Sequence, residues 1–135
     1  MWVVDTCVVL DVLEDDPQFG LSSARVLERL LSDGLCVSPV TMVELSAAFS
    51  GDLMEQKQFL NSAGISYSEP WTTLDTESSH IAWNNYVQAR RARKTMKRPV
   101  ANLLIGGFAS NRTGLVTRKP SDFNRWFPRL PIREP

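Results

Sequence analysis

A three-layer, doubly wound α/β domain, with a mostly parallel β-sheet flanked by helices, is predicted by three observations. Short apolar runs (Trp2–Val4 and residues 35–37, 65–67 and 115–117) alternate with helical patterns along the chain. Most of these runs are continuously apolar, as suits strands buried on both faces of a parallel sheet. The first run stops at a carboxylate, Asp5. Open α/β sheets carry their chemistry just beyond such strand ends.

The opening stretch, M-W-V-V-D-T-C-V-V-L-D-V-L, organises the rest. Asp5 and Thr6 fit either a functional site at the strand end or a simple cap of the helix that follows, both being favoured caps. Val8, Val9, Val12 and Leu13 continue at roughly helical spacing until Asp15-Asp16-Pro17. After Gly20 a second helix is expected, with Leu21, Ala24, Leu27, Leu30 and Leu31 as its apolar stripe and Arg25, Glu28 and Arg29 outward. Gly34 ends it, and residues 35–37 form the second strand.

Ser38-Pro39 is a strong helix start, with Ser as cap and Pro at the first helical position. In the helix expected from Pro39 to about Phe49, Glu44 lies four residues after Val40 and three before Ala47, on their face. A carboxylate on a buried face is costly unless paired or bound to a cation. Glu44 is therefore either a satisfied core residue or part of a site. Residues 51–63 read as a further helix and residues 65–67 as the third strand, broken by Glu69-Pro70. Asp75 is expected to cap a long helix from Thr76 to about Arg93, with Ala82, Tyr86 and Ala89 inward. His80, the single histidine, is given no chemistry.

That helix runs into Arg90, Arg91, Arg93, Lys94, Lys97 and Arg98, six cations in nine residues. Such clusters bind phosphates by releasing counterions. A helix end favours the first two or three cations but does not account for the whole run. Pro99 opens a helix over residues 100–110, apolar on every side except at Asn102, so it must be buried. Gly106-Gly107 within it permits close backbone packing. The fourth strand, residues 115–117, leads to Arg118, Lys119 and then Asp122-Phe123. Trp126, Phe127, Leu130 and Ile132 close the sequence as a short helix and an edge strand.

Length and composition fit one domain over residues 1–135, with a 43% hydrophobic and 22% charged content ordinary for a globular protein. No apolar stretch approaches the ~20 residues of a membrane span, and no signal-peptide pattern opens the sequence. Cys7 and Cys36 make neither a disulfide framework nor a zinc spacing, so buried thiols in a reducing cytoplasm are expected. The net charge of zero divides sharply. Residues 1–79 carry 13 acidic and 3 basic side chains, residues 80–135 carry 2 and 12. That asymmetry suggests one surface that meets polyanions, unless the two halves interleave in space.

In the doubly wound architecture Asp5, Glu44, Asn102 and Asp122 can converge above one edge of the sheet. Three carboxylates in one pocket repel one another, and a hard divalent cation such as Mg²⁺ or Mn²⁺ compensates them. Such a cation activates water and neutralises charge developing on a phosphate.

V-V-D-T at residues 3–6, V-E-L at residues 43–45, the helix of residues 99–109 and T-R-x-x-x-D-F at residues 117–123 together resemble a PIN domain. More narrowly, the chain resembles the VapC-type ribonuclease toxins of bacterial toxin–antitoxin pairs, over essentially its whole length. The resemblance implies an Mg²⁺-dependent endoribonuclease, Mn²⁺ being able to substitute, that cleaves tRNA or ribosomal RNA. It implies a homodimer held inactive by a cognate antitoxin. Asp5 would be a direct metal ligand, with Glu44 acting through water and Asn102 and Asp122 completing the cluster. Thr6 and Thr117 would be hydroxyl supports. The basic run and Arg118 would meet RNA.

Two positions depart from the family pattern. Asn102 stands where the family has an aspartate, keeping a carbonyl oxygen but losing a negative charge and a proton acceptor. Lys119 stands where an acid or amide often follows Thr-Arg, a place Asp122 can fill. The expectation is an impaired nuclease; the alternative is an inactive PIN module that binds RNA or a partner protein. Two other enzyme classes fit poorly. Haloacid dehalogenases need a second Asp at the position of Cys7, and receiver domains need an Asp ending the third strand.

Overall fold

The computed structural model describes residues 1–92 and 99–135. Its order is β1 (Trp2–Val4), α1 (Thr6–Leu13), α2 (Gly20–Leu30), β2 (Leu35–Cys36), α3 (Pro39–Glu44), α4 (Leu53–Ser62), β3 (Ile65–Ser66), α5 (Thr73–Ala92), α6 (Val100–Ser110), β4 (Gly114–Val116), α7 (Ser121–Asn124) and β5 (Ile132–Arg133). The five strands pair in the order β3-β2-β1-β4-β5, and every pairing is parallel. The expected doubly wound α/β fold is what the chain adopts. The chain builds outward from β1 through β2 to β3, then returns to place β4 on the other side of β1. The carboxyl ends of β1 and β4 therefore flank the point where the winding reverses, the place where such sheets form a crevice.

Alternate strand residues feed two cores. Trp2, Val4, Leu35 and Val116 join Val8, Val9, Val26, Leu27 and Leu60 on one face. Val3, Cys36 and Leu115 join Ala82, Tyr86, Leu103, Phe108 and Phe123 on the other. This is why the strands read as unbroken apolar runs: both faces are covered. Each fully buried Val, Leu or Phe contributes about 1.5–3 kcal/mol. Among the described residues no helix is long and apolar enough to cross a membrane.

Three local expectations are corrected. In α2 the inward residues are Ser23, Val26 and Leu27, whereas Leu21, Ala24 and Leu31 are exposed. The Ser23 hydroxyl donates to buried Asp11 at 3.1 Å, and this polar anchor sets the helix's rotation. After Glu44 the chain tightens into a 3₁₀ helix, Leu45–Phe49, so Thr41, Leu45 and Phe49 turn inward while Glu44 is exposed. In α5 Asp75 lies inside the first turn, not at its cap. Thr72 Oγ1 accepts from the Asp75 amide at 3.3 Å, and Asp75 Oδ2 accepts from the Thr72 amide at 2.8 Å, a reciprocal capping box.

Asp75 is also the buried centre of an unforeseen network. Arg112 Nη1 donates to its Oδ1 at 3.0 Å, and Asn111 Nδ2 donates to the same oxygen at 2.9 Å. Burial by itself raises its pKa, but the bonds from Arg112, the Thr72 amide and Asn111 outweigh that and hold it below the ordinary range.

Candidate functional site

Asp5 follows directly on β1 in extended conformation and caps α1. Its two oxygens are used differently. Oδ1 accepts from the Thr6 amide at 2.8 Å, the capping bond, while Oδ2 accepts from the Thr117 hydroxyl at 2.7 Å. The capping expectation for Asp5 holds, and the cap leaves the carboxylate at the crevice between β1 and β4. The Thr117 hydroxyl in turn accepts from the Lys119 amide at 3.0 Å.

Thr6 reaches across to α3. Its Oγ1 lies 2.7 Å from Glu44 Oε1 and 3.0 Å from Thr41 Oγ1. A hydroxyl has one proton; given to the carboxylate, it leaves the Thr41 hydroxyl to donate in the second bond. Glu44 is positioned by this contact and not by burial, the basis on which the sequence singles it out.

Asp5, Thr6, Glu44, Asn102 and Asp122 line one cavity of about 230 Å³, together with Cys7, Leu10 and Lys119. Asn102 enters from the first turn of α6 and Asp122 from α7. A larger apolar cavity, about 480 Å³ between α5 and α6, holds none of these residues.

Cys7 and Lys119 are members of the cavity that sequence reasoning did not assign to it. The Cys7 thiol lies 3.3 Å from Asp5 Oδ2. Its pKa is pushed up to about 11, by burial first and by the negative charge of Asp5 second. It is therefore a protonated donor to Asp5. Lys119 brings a cation among the carboxylates.

The donors are the oxygens of three carboxylates, an amide and a hydroxyl, the kind a hard cation such as Mg²⁺ or Mn²⁺ prefers. Among the described residues no group of three His, Cys, Asp or Glu side chains is arranged to hold an ion by itself. The set suits a cation held by one or two carboxylates with water in its remaining positions, as Mg²⁺ favours. It does not suit an all-protein cage.

Arg118, expected at an RNA surface, is half-buried: its Nε donates to Asp11 Oδ2 at 2.6 Å and its Nη2 to Oδ1 at 3.1 Å, and the guanidinium lies over the Phe19 ring at 4.3 Å. The bidentate pair with buried Asp11 occupies the donors that the RNA expectation assigns to a phosphate. That pair raises its pKa above the ordinary value, chiefly through the hydrogen bond to Asp11. Arg90 and Arg91 are exposed at the end of α5. Arg93, Lys94, Lys97 and Arg98 lie outside the described residues.

No family model and no curated protein matches the chain. Among solved structures it is similar to a chain in the crystal structure of VapBC2 from Rickettsia felis bound to a DNA fragment from their promoter. The TM-score is 0.66 at 14% identity, over 98% of this chain and 97% of that one. At that identity the likeness is one of fold, and it covers the chain nearly end to end.

Proposed function

We propose that this chain, which has the PIN-like fold, is a VapC-type toxin: a divalent-metal-dependent endoribonuclease hydrolysing RNA phosphodiester bonds, with tRNA or ribosomal RNA as substrate. The observation that carries the reading is the convergence of Asp5, Glu44, Asn102 and Asp122, from four separate elements, on one cavity at the sheet's switch point. The likeness to VapBC2 supports the same reading and an inhibitory antitoxin as partner. A homodimer is part of the proposal by family resemblance.

Each side chain has a defined task. Asp5, Asp122 and Asn102 would hold the Mg²⁺ or Mn²⁺, with Glu44 acting through a bound water. The bound ion would supply an activated water and neutralise charge on the phosphate. Thr117 and the Thr6 amide fix the Asp5 carboxylate, so little reorganisation remains when substrate arrives. The Thr6 hydroxyl keeps Glu44 turned toward the cavity. Arg90 and Arg91, with Arg93, Lys94, Lys97 and Arg98, attract the RNA backbone.

Asn102 and Lys119 favour a second reading, an inactive module that binds RNA or a partner protein. A neutral amide and an ammonium both reduce the negative charge available to a cation. Induced expression separates the two. The toxin reading expects growth arrest that Asp5→Ala abolishes and the product of a neighbouring small gene relieves. Absence of arrest, with Asn102→Asp equally harmless, would favour the inactive module.

A further inference from the structure

We infer that Lys119 is the phosphate-binding residue of the cavity, receiving a backbone phosphate of single-stranded RNA beside the carboxylates. The inference rests on the nucleic-acid reading of the site and goes beyond it. Lys119 lines the same cavity as Asp5, Glu44 and Asp122. Among the described residues no carboxylate lies within ion-pairing distance of its ammonium.

Its backbone, by contrast, is pinned. The Lys119 amide donates to Thr117 Oγ1 at 3.0 Å, the hydroxyl that also holds Asp5. The Lys119 carbonyl accepts from the Asp122 amide at 3.0 Å. The preceding residue, Arg118, is locked on Asp11 by two bonds. An exposed lysine on a flexible loop costs ordering entropy when it engages an anion. Here the main chain is already ordered, and only the side chain remains to be fixed.

Charge points the same way. The wall carries three carboxylates, and a phosphate entering it is repelled by each. Lys119 is the cation on that wall, so without a metal it is the group that offsets the repulsion. As an ammonium point charge it recognises phosphate without reading bases.

The test is equilibrium binding of fluorescein-labelled oligouridylate in EDTA, across a salt series, for the unaltered chain, Lys119→Met and Lys119→Arg. Thermal melting serves as the control for folding, since the pinning bonds are main-chain and survive either substitution. The expected result is weaker binding by Lys119→Met and a salt slope flatter by about 0.7, the value of one single-strand phosphate contact. Lys119→Arg should keep the slope. Unchanged affinity and slope in Lys119→Met would overturn the inference and leave the nuclease reading standing wherever the unaltered chain cleaves. A lysine-dependent slope without cleavage, even in Asn102→Asp, supports the inference and removes the nuclease reading. No oligouridylate binding by the unaltered chain overturns the inference and leaves the nuclease reading to be decided by cleavage alone.

Discussion

The hydroxyl of Thr117 donates to Asp5 Oδ2 at 2.7 Å, joining the ends of β4 and β1 across 112 residues of sequence. Both residues are buried, and the bond ends on a carboxylate, where a hydrogen bond contributes about 1.5–3 kcal/mol. Thr117→Val keeps the shape and deletes the bond. It should lower unfolding free energy by about 2 kcal/mol in urea titration, whereas Thr117→Ser should lose little of it.

Asn102→Asp adds a fourth negative group to the cavity. Mg²⁺ affinity should rise by about tenfold, as ligand charge dominates the binding of hard cations. Calorimetric titration measures this directly. In EDTA the same variant should melt lower than the unaltered chain, because carboxylate repulsion goes uncompensated, and added Mg²⁺ should recover the difference.

The Asp75–Arg112 pair holds the first turn of α5 to the segment just after α6, with Asp75 fully buried. Removing one partner strands the other, so Arg112→Met should cost about 3 kcal/mol. The pair also predicts a pH dependence. The folded pKa of Asp75 lies below the ordinary 3.8, so on acidification the unfolded chain takes up a proton first. Its contribution is present above the unfolded value and lost as pH falls through the folded one. Asp75→Asn should flatten the decline in stability below about pH 4 in an acid denaturation series.

Gly107 in α6 packs against Ser79 of α5, and a Cβ there would meet the Ser79 side chain and stand 3.0 Å from its amide nitrogen. The backbone cannot yield as a flexible side chain would. Gly107→Ala should therefore destabilise by about 1–3 kcal/mol despite Ala's better helix propensity, a sign that chemical denaturation checks.

What the sequence made legible depends on how local the cause is. The buried strands and the apolar helix around Asn102 are visible because continuous apolar runs have few other uses. Asp5 is visible because a carboxylate ends the first of these runs. Glu44 lines the cavity from an exposed face and not from the buried one that its spacing from Val40 and Ala47 predicts: the switch to 3₁₀ geometry at Leu45 is set by tertiary packing and leaves no periodic trace. The rotation of α2 depends on Ser23 meeting Asp11, and the fate of Arg118 depends on that same Asp11, 107 residues away. Pairings across such distances are fixed by the sheet order, which local spacing does not encode. Cys7 and Lys119 were in view as neighbours of the motifs, and only the closing of the cavity gives them a place in it.

The central claim, that this oxygen-lined cavity is a divalent-dependent RNA hydrolase, is tested most directly by cleavage of end-labelled tRNA on a denaturing gel. The Asn102→Asp chain would be compared with Asn102→Asp carrying Asp5→Asn, each in Mn²⁺ and in EDTA. The account predicts discrete products from Asn102→Asp in Mn²⁺, and none in EDTA or from the Asp5→Asn double variant. Intact RNA in every lane, with tRNA and then ribosomal RNA as substrate, or cleavage that persists in EDTA or without the Asp5 carboxylate, would contradict it.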